Sequence, residues 1–99
     1  MIPLEKEIEA RFCAEIKKCG GLCLKWVCPG CNGVPDRIVL LPGGTVFFAE
    51  LKRPKGGRLS TLQKWWQQRL ISLGFNCLVI RNQEDIAACL RKVEGAKHD

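Results

Sequence analysis

The chain has 99 residues, with 16 Lys and Arg against 10 Asp and Glu, a formal net charge of +6, and 46% hydrophobic residues. That length predicts one domain spanning residues 1–99, and the composition excludes wholesale disorder. The longest aliphatic run, Ile38-Val39-Leu40-Leu41, is far too short to span a bilayer, and the opening Met1-Ile2-Pro3-Leu4-Glu5-Lys6 turns acidic before any signal-peptide apolar region develops, so neither membrane insertion nor secretion is expected.

A basic excess favours polyanionic partners, because neutralised phosphates release counterions, although it serves solubility equally well. The seven cysteines, at 13, 19, 23, 28, 31, 77 and 89, are odd in number. Without an export signal they read as reduced thiols, mostly small core residues. Cys28-Pro29-Gly30-Cys31 has the spacing of half a zinc knuckle. A structural zinc needs four ligands, and no second CxxC or HxxxH pair exists; Cys23 and His98, the latter in a polar tail, are poor substitutes.

Leu4, Ile8, Phe12 and Ile16 recur every fourth residue, with Cys19 on the same stripe, predicting an amphipathic helix over 3–19. Pro3 suits its first turn and Gly20-Gly21 its end. A short strand follows over 22–27, broken by Pro29-Gly30 and Asn32-Gly33. Residues 37–41 and 45–53 read as a hairpin joined by Pro42-Gly43-Gly44. Residues 54–58 read as a flexible basic loop. A second helix opens at Ser60, carries the stripe Leu59, Leu62, Trp66, Leu70 and Leu73, and ends at Gly74. A strand over 77–81 and a helix over 84–93 close the fold, and 95–99 reads as a frayed tail. The order is α-β-β-β-α-β-α, an α/β protein.

Charge on a face that should be apolar is the informative departure. Alternation along 45–53 puts Val46, Phe48, Glu50 and Lys52 on one side and Phe47, Ala49 and Leu51 on the other. A solvated ion pair on a sheet edge would explain Glu50 and Lys52 alone. The hairpin, however, brings Asp36 close to Glu50. Two adjacent carboxylates repel unless a cation lies between them, and hard oxygen ligands suit Mg²⁺ or Mn²⁺. Water activated by such an ion, with Lys52 orienting it or stabilising charge developing on phosphorus, is the minimum kit for phosphodiester hydrolysis.

At about 100° per residue, Glu5, Glu9 and Glu15 fall on or beside the apolar stripe of the first helix, while Glu7 points away. Charge near a helix N-terminus explains Glu5 well and Glu9 less well, so the order of candidates for a partner-seeking acid is Glu9, Glu5, Glu15. Gln63 projects beside the second helix's stripe, where it would bond a phosphate or a site water. Equally, Ser60-Thr61-Leu62-Gln63 matches a capping box that returns Gln63 to the Ser60 amide. Trp66 belongs to the core stripe; Trp65 is freer, to stack on a base or bury in a subunit interface.

Gly33-Val34-Pro35-Asp36-Arg37, followed by Phe48-Ala49-Glu50-Leu51-Lys52, resembles the PD-(D/E)xK nuclease superfamily, and within it the stand-alone VRR-NUC domains of phages and bacteria. The likeness covers nearly the whole chain, including Gly20-Gly21, the Leu41-Pro42-Gly43-Gly44 turn and Leu59 to Gln63. It implies a restriction-endonuclease-like core, a mixed sheet flanked by helices. The implied activity is that of a metal-dependent homodimeric endonuclease acting on branched DNA of the Holliday-junction type, in the cytoplasm of a bacterial or phage-infected cell. By this resemblance Asp36, Glu50, the Leu51 carbonyl and Glu9 hold one or two Mg²⁺ or Mn²⁺ ions, Lys52 is the motif lysine, and Gln63 is the glutamine that follows. Glu9 matches best for the first-helix acid, eleven positions before Gly20, with Glu5 still open. Cys28 and Cys31 depart from the family pattern. Arg37, Lys55, Arg58 and Lys64 are candidates for gripping the DNA backbone, which positions it without reading sequence. Two rivals from other classes stand beside this: a DNA-binding module whose acids form only a structural pair, and a small zinc-structural interaction protein.

Overall fold

The apolar periodicities resolve into seven elements, α1 (Glu5–Lys18), β1 (Leu22–Lys25), β2 (Arg37–Leu40), β3 (Val46–Leu51), α2 (Thr61–Ser72), β4 (Asn76–Ile80) and α3 (Gln83–Lys97). The computed structural model describes residues 5–53 and 56–97, and of 94–97 the backbone only. The strands lie in the order β1-β2-β3-β4, antiparallel between the first three and parallel between β3 and β4. The parallel pair requires a crossover, and α2 supplies it. The order and the mixed sheet are those expected from the sequence.

β3 is therefore a central strand, not an edge. Its residues 47–51 are all buried. Phe47, Ala49 and Leu51, with Val39 and Ile80, pack against Ile8, Phe12 and Ile16 of α1 and Ile86, Cys89 and Val93 of α3. The opposite face carries Phe48 and Glu50. It is covered by α2 over β4 and by an aromatic cluster, with Trp26 and Phe48 ring centres 5.1 Å apart, Trp26 and Trp66 6.1 Å, and Phe48 and Phe75 5.4 Å. Offset and edge-on contacts of this kind suit aromatic quadrupoles.

Several boundaries shift from those the sequence predicts. β1 stops at Lys25 instead of 27, since only one further bond, Trp26 N–H to the Asp36 carbonyl at 3.0 Å, continues the pairing. β3 ends at Leu51, level with Ile80 where its parallel partner β4 ends, and only the Lys52 N–H to the Ile80 carbonyl at 3.0 Å continues the pairing. α3 runs on to Lys97 through part of the expected tail; Ile86, Cys89 and Val93 anchor it, and each further turn then costs little. The α2 stripe is less of a core than expected. Leu70 is buried, but Leu62 and Leu73 are 44% and 57% exposed, because α2 covers only the β4 side of the sheet. Among the described residues, no helix is long and apolar enough to cross a membrane.

Close approach of backbones places the two loops that matter. At the end of α1, a Cβ on Gly21 would stand 2.7 Å from the Leu40 carbonyl oxygen, so only glycine lets the chain turn into β1 against β2. Gly33 has φ +87° and lies against Leu62 of α2, where a Cβ would meet Leu62 Cγ at 2.8 Å. The Trp66 indole N–H donates to the Asn32 carbonyl at 2.8 Å. These contacts seat the 28–33 loop on α2 and deliver Pro35 and Asp36 to the start of β2.

Candidate active site

Asp36 precedes β2 and Glu50 lies near the end of β3, so the antiparallel register that pairs Arg37 with Ala49 brings the two carboxylates together. The Leu51 backbone N–H donates to Asp36 Oδ2 at 2.8 Å and fixes that carboxylate's orientation. Glu50 is 2% exposed, a carboxylate inside the protein. Gln63 reaches it from the first turn of α2, its Nε2 donating to Glu50 Oε1 at 3.0 Å. The same side chain also closes the capping box. The Ser60 N–H donates to Gln63 Oε1 at 2.8 Å, and the Gln63 N–H donates to Ser60 Oγ at 3.1 Å. The capping reading of Gln63 holds, and the cap, by clamping the amide oxygen, aims the amide nitrogen at Glu50, where the sequence suggested a phosphate or a site water.

Glu50 Oε2 is buried and has no hydrogen-bond partner among the described residues. A buried charged oxygen without a donor is costly. Its carboxyl is accordingly pushed up to about 8, by burial first and then by Asp36, which can accept from the protonated form and repels the ionised one. The Lys52 charge pulls in the opposite direction, and the Glu5 charge adds to the rise.

The three first-helix acids have different surroundings. The Arg37 Nε donates to Glu9 Oε2 at 2.8 Å, a pair whose side chains are 22% and 27% exposed. Arg37 Nη1 also donates to the Cys23 carbonyl at 3.2 Å. Glu15 lies 3.4 Å from Lys18, and Glu5 is the one whose charge is felt at Glu50. The structure therefore gives Arg37 partners within the chain, on the α1 side of the sheet, where sequence suggested a free cation for DNA. Its position one residue after Asp36 carried the signal, since alternation sends it to the other face. Arg58 and Lys64 are exposed beside α2's first turn, and Lys55 lies outside the described residues.

Cys28 and Cys31 face each other across a turn closed by the Cys31 N–H and the Cys28 carbonyl at 3.0 Å, and their contact pushes the Cys28 thiol up. Among the described residues, no three His, Cys, Asp or Glu are grouped to hold an ion, either at this turn or at the Asp36–Glu50 pair. His98 lies outside them. What the pair does offer is two adjacent carboxylates and one unpartnered oxygen, a hard donor set whose mutual repulsion a divalent cation would relieve. The residues fit such an ion.

No protein-family profile matches the chain. It is 40% identical over 80 residues to "Putative nuclease p44" of Acyrthosiphon pisum secondary endosymbiont phage 1, covering 81% of this chain and 85% of that protein. A solved structure titled "VRR_NUC domain" superposes with a TM-score of 0.84 over 88% of this chain and 94% of its own, at 24% identity, which speaks for the fold. Sequence likeness along most of both chains, and the shared fold, agree with the Asp36–Glu50 juxtaposition: the chain belongs to the family of this phage protein named as a nuclease, and its fold is that of a VRR-NUC domain.

Proposed function

We propose that this protein is a divalent-metal-dependent DNA endonuclease, specific for branched DNA such as a four-way junction, that works as a homodimer. The observation that carries the reading is the buried Glu50 carboxylate beside Asp36, with one oxygen held by Gln63 and the other without a partner. Kinship with a phage protein named as a nuclease supports it. In this reading Asp36, Glu50 and the Leu51 carbonyl hold Mg²⁺ or Mn²⁺. Glu5 comes first as the helix acid, because its charge reaches Glu50, and Glu9, engaged with Arg37, comes second. The bound ion supplies water of lowered pKa and offsets charge on the phosphate.

The chain's own groups do the rest. Gln63 holds Glu50 and the Leu51 N–H holds Asp36, and Lys52, whose charge acts on Glu50, would orient water or stabilise charge developing on phosphorus. Arg58 and Lys64, with Lys55, would grip the phosphates. For the dimer, Leu22 and Leu24 on edge strand β1 are 57% and 44% exposed, an apolar surface suited to a second copy. Two cuts placed symmetrically across a junction need two sites related by a two-fold axis.

The test incubates the protein with a labelled four-way junction and with linear duplex, in Mg²⁺, in Mn²⁺ and in EDTA. Expected are cleavage of the junction in either metal and none in EDTA, with Asp36→Ala and Glu50→Ala binding but not cutting. Parental cutting by either variant would overturn the metal assignment. Binding without any metal-dependent cleavage would favour the DNA-binding module instead.

A further inference from the structure

We propose that Cys13 of α1 and Cys23 of β1 form a paired-thiol site that closes to a disulfide in the presence of a small-molecule disulfide such as oxidised glutathione, fastening the first helix to the edge of the sheet. The two Sγ atoms lie 3.0 Å apart, about 1 Å beyond bonding distance, on two elements that already pack together. Local rules set the face each thiol takes, and the packing of α1 on the sheet brings the two together. Cys23 alternates onto the α1 side of β1, opposite Val39, and Cys13 lies next to the buried Phe12 on the helix flank that meets it. Both residues are partly buried, so an oxidant can reach the site.

The surroundings favour closure. Burial and the neighbouring Cys13 push the Cys23 thiol well above the usual range, with Glu9 adding to the rise and Arg37 opposing it. A Cys23 thiol held protonated gives the reduced form no thiolate stabilisation at that sulfur to set against a neutral, apolar disulfide. Cys13, as thiolate, attacks one sulfur of oxidised glutathione, forming a mixed disulfide and releasing one glutathione thiolate, which is protonated. Cys23 gives up its proton and attacks the Cys13 sulfur, the second glutathione leaves, and the sum is two protein thiols plus oxidised glutathione giving one protein disulfide plus two reduced glutathione molecules. Cys28 and Cys31, by contrast, share one turn, and linking them would join no two elements.

The experiment equilibrates the full chain with oxidised and reduced glutathione, blocks remaining thiols, and maps tryptic peptides without reduction. Expected is a link between the peptide starting at Phe12 and the one starting at Cys19, with fragment spectra placing it on Cys23 and not on Cys19. The oxidised chain should melt roughly 10 °C higher than the reduced one, since the link closes a short loop between packed elements. Cys13→Ser should lose both the link and the shift; Cys23→Ser should do the same if it folds, and the peptide map of the parent chain decides the matter if it does not. Full alkylation of all seven thiols, a link confined to Cys28–Cys31 or to Cys19, or an unchanged melting temperature in the linked chain would each overturn the proposal.

Discussion

At the scale of single residues, Glu50 concentrates the chemistry. The folded chain holds its proton up to a pH of about 8, whereas the unfolded chain releases it near 4.5. Its contribution to stability is therefore fully present below pH 4.5 and is lost as pH rises towards 8. Without divalent ions, urea midpoints should decline across that window, and Glu50→Gln, which keeps an oxygen for Gln63 Nε2 but carries no charge, should remove most of the decline while abolishing cleavage. A pH profile of Glu50→Gln identical to the parent's would mean that Glu50 titrates normally. Gln63→Ala separates the two jobs of that side chain. Losing the bond from the Ser60 N–H costs about 1 kcal/mol of stability, and freeing Glu50 should lower cleavage beyond what that loss explains, which chevron and single-turnover measurements together resolve. Reading Glu50 and Asp36 as partners was possible from sequence, because a tight hairpin fixes register. The burial of Glu50 was not, because only the addition of β4 turns β3 from an edge into a central strand.

Among the elements, α1 and the 28–33 loop do most to shape the site. Phe12 is fully buried between α1 and the sheet, and Phe12→Ala should cost about 3–5 kcal/mol, enough to unfold much of a chain this small. Gly33→Ala should cost roughly 1–3 kcal/mol through its positive φ and the contact with Leu62. Because this loop leads into Asp36, the substitution should also depress cleavage in the fraction that remains folded; full activity per folded molecule would show that the loop does not position Asp36. Helix periodicity placed Glu5, Glu9 and Glu15 on one arc, and the weaker helix-terminus explanation for Glu9 put Glu9 first. Ranking depended on which strand end each acid meets, and the structure sends Glu9 to Arg37 and Glu15 to Lys18.

For the whole molecule, charge and symmetry are the properties to test. A chain of net charge +6 whose exposed cations flank α2 should bind DNA with strong salt dependence. If about six phosphates are neutralised, log affinity falls against log salt with a slope near −5. Arg58→Ala and Lys64→Ala should each reduce the magnitude of that slope by about 1. Arg37→Ala should leave it unchanged and lower stability instead, since Arg37 is bonded to Glu9 and the Cys23 carbonyl. Light scattering should give twice the monomer mass at working concentration; a monomer there would remove the two-fold argument.

The amino-acid sequence by itself determined the order of elements, the hairpin that joins Asp36 to Glu50, and the family, because those follow from periodicity, turn chemistry and motif spacing, all local along the chain. The tertiary structure alone decided that Glu50 is buried with an unpartnered oxygen, that Gln63 both caps α2 and holds Glu50, and that Arg37 and Cys13 meet partners within the fold. These depend on contacts between segments 10 to 28 residues apart. Such contacts are set by how the helices lie across the two faces of the sheet, which no local pattern encodes.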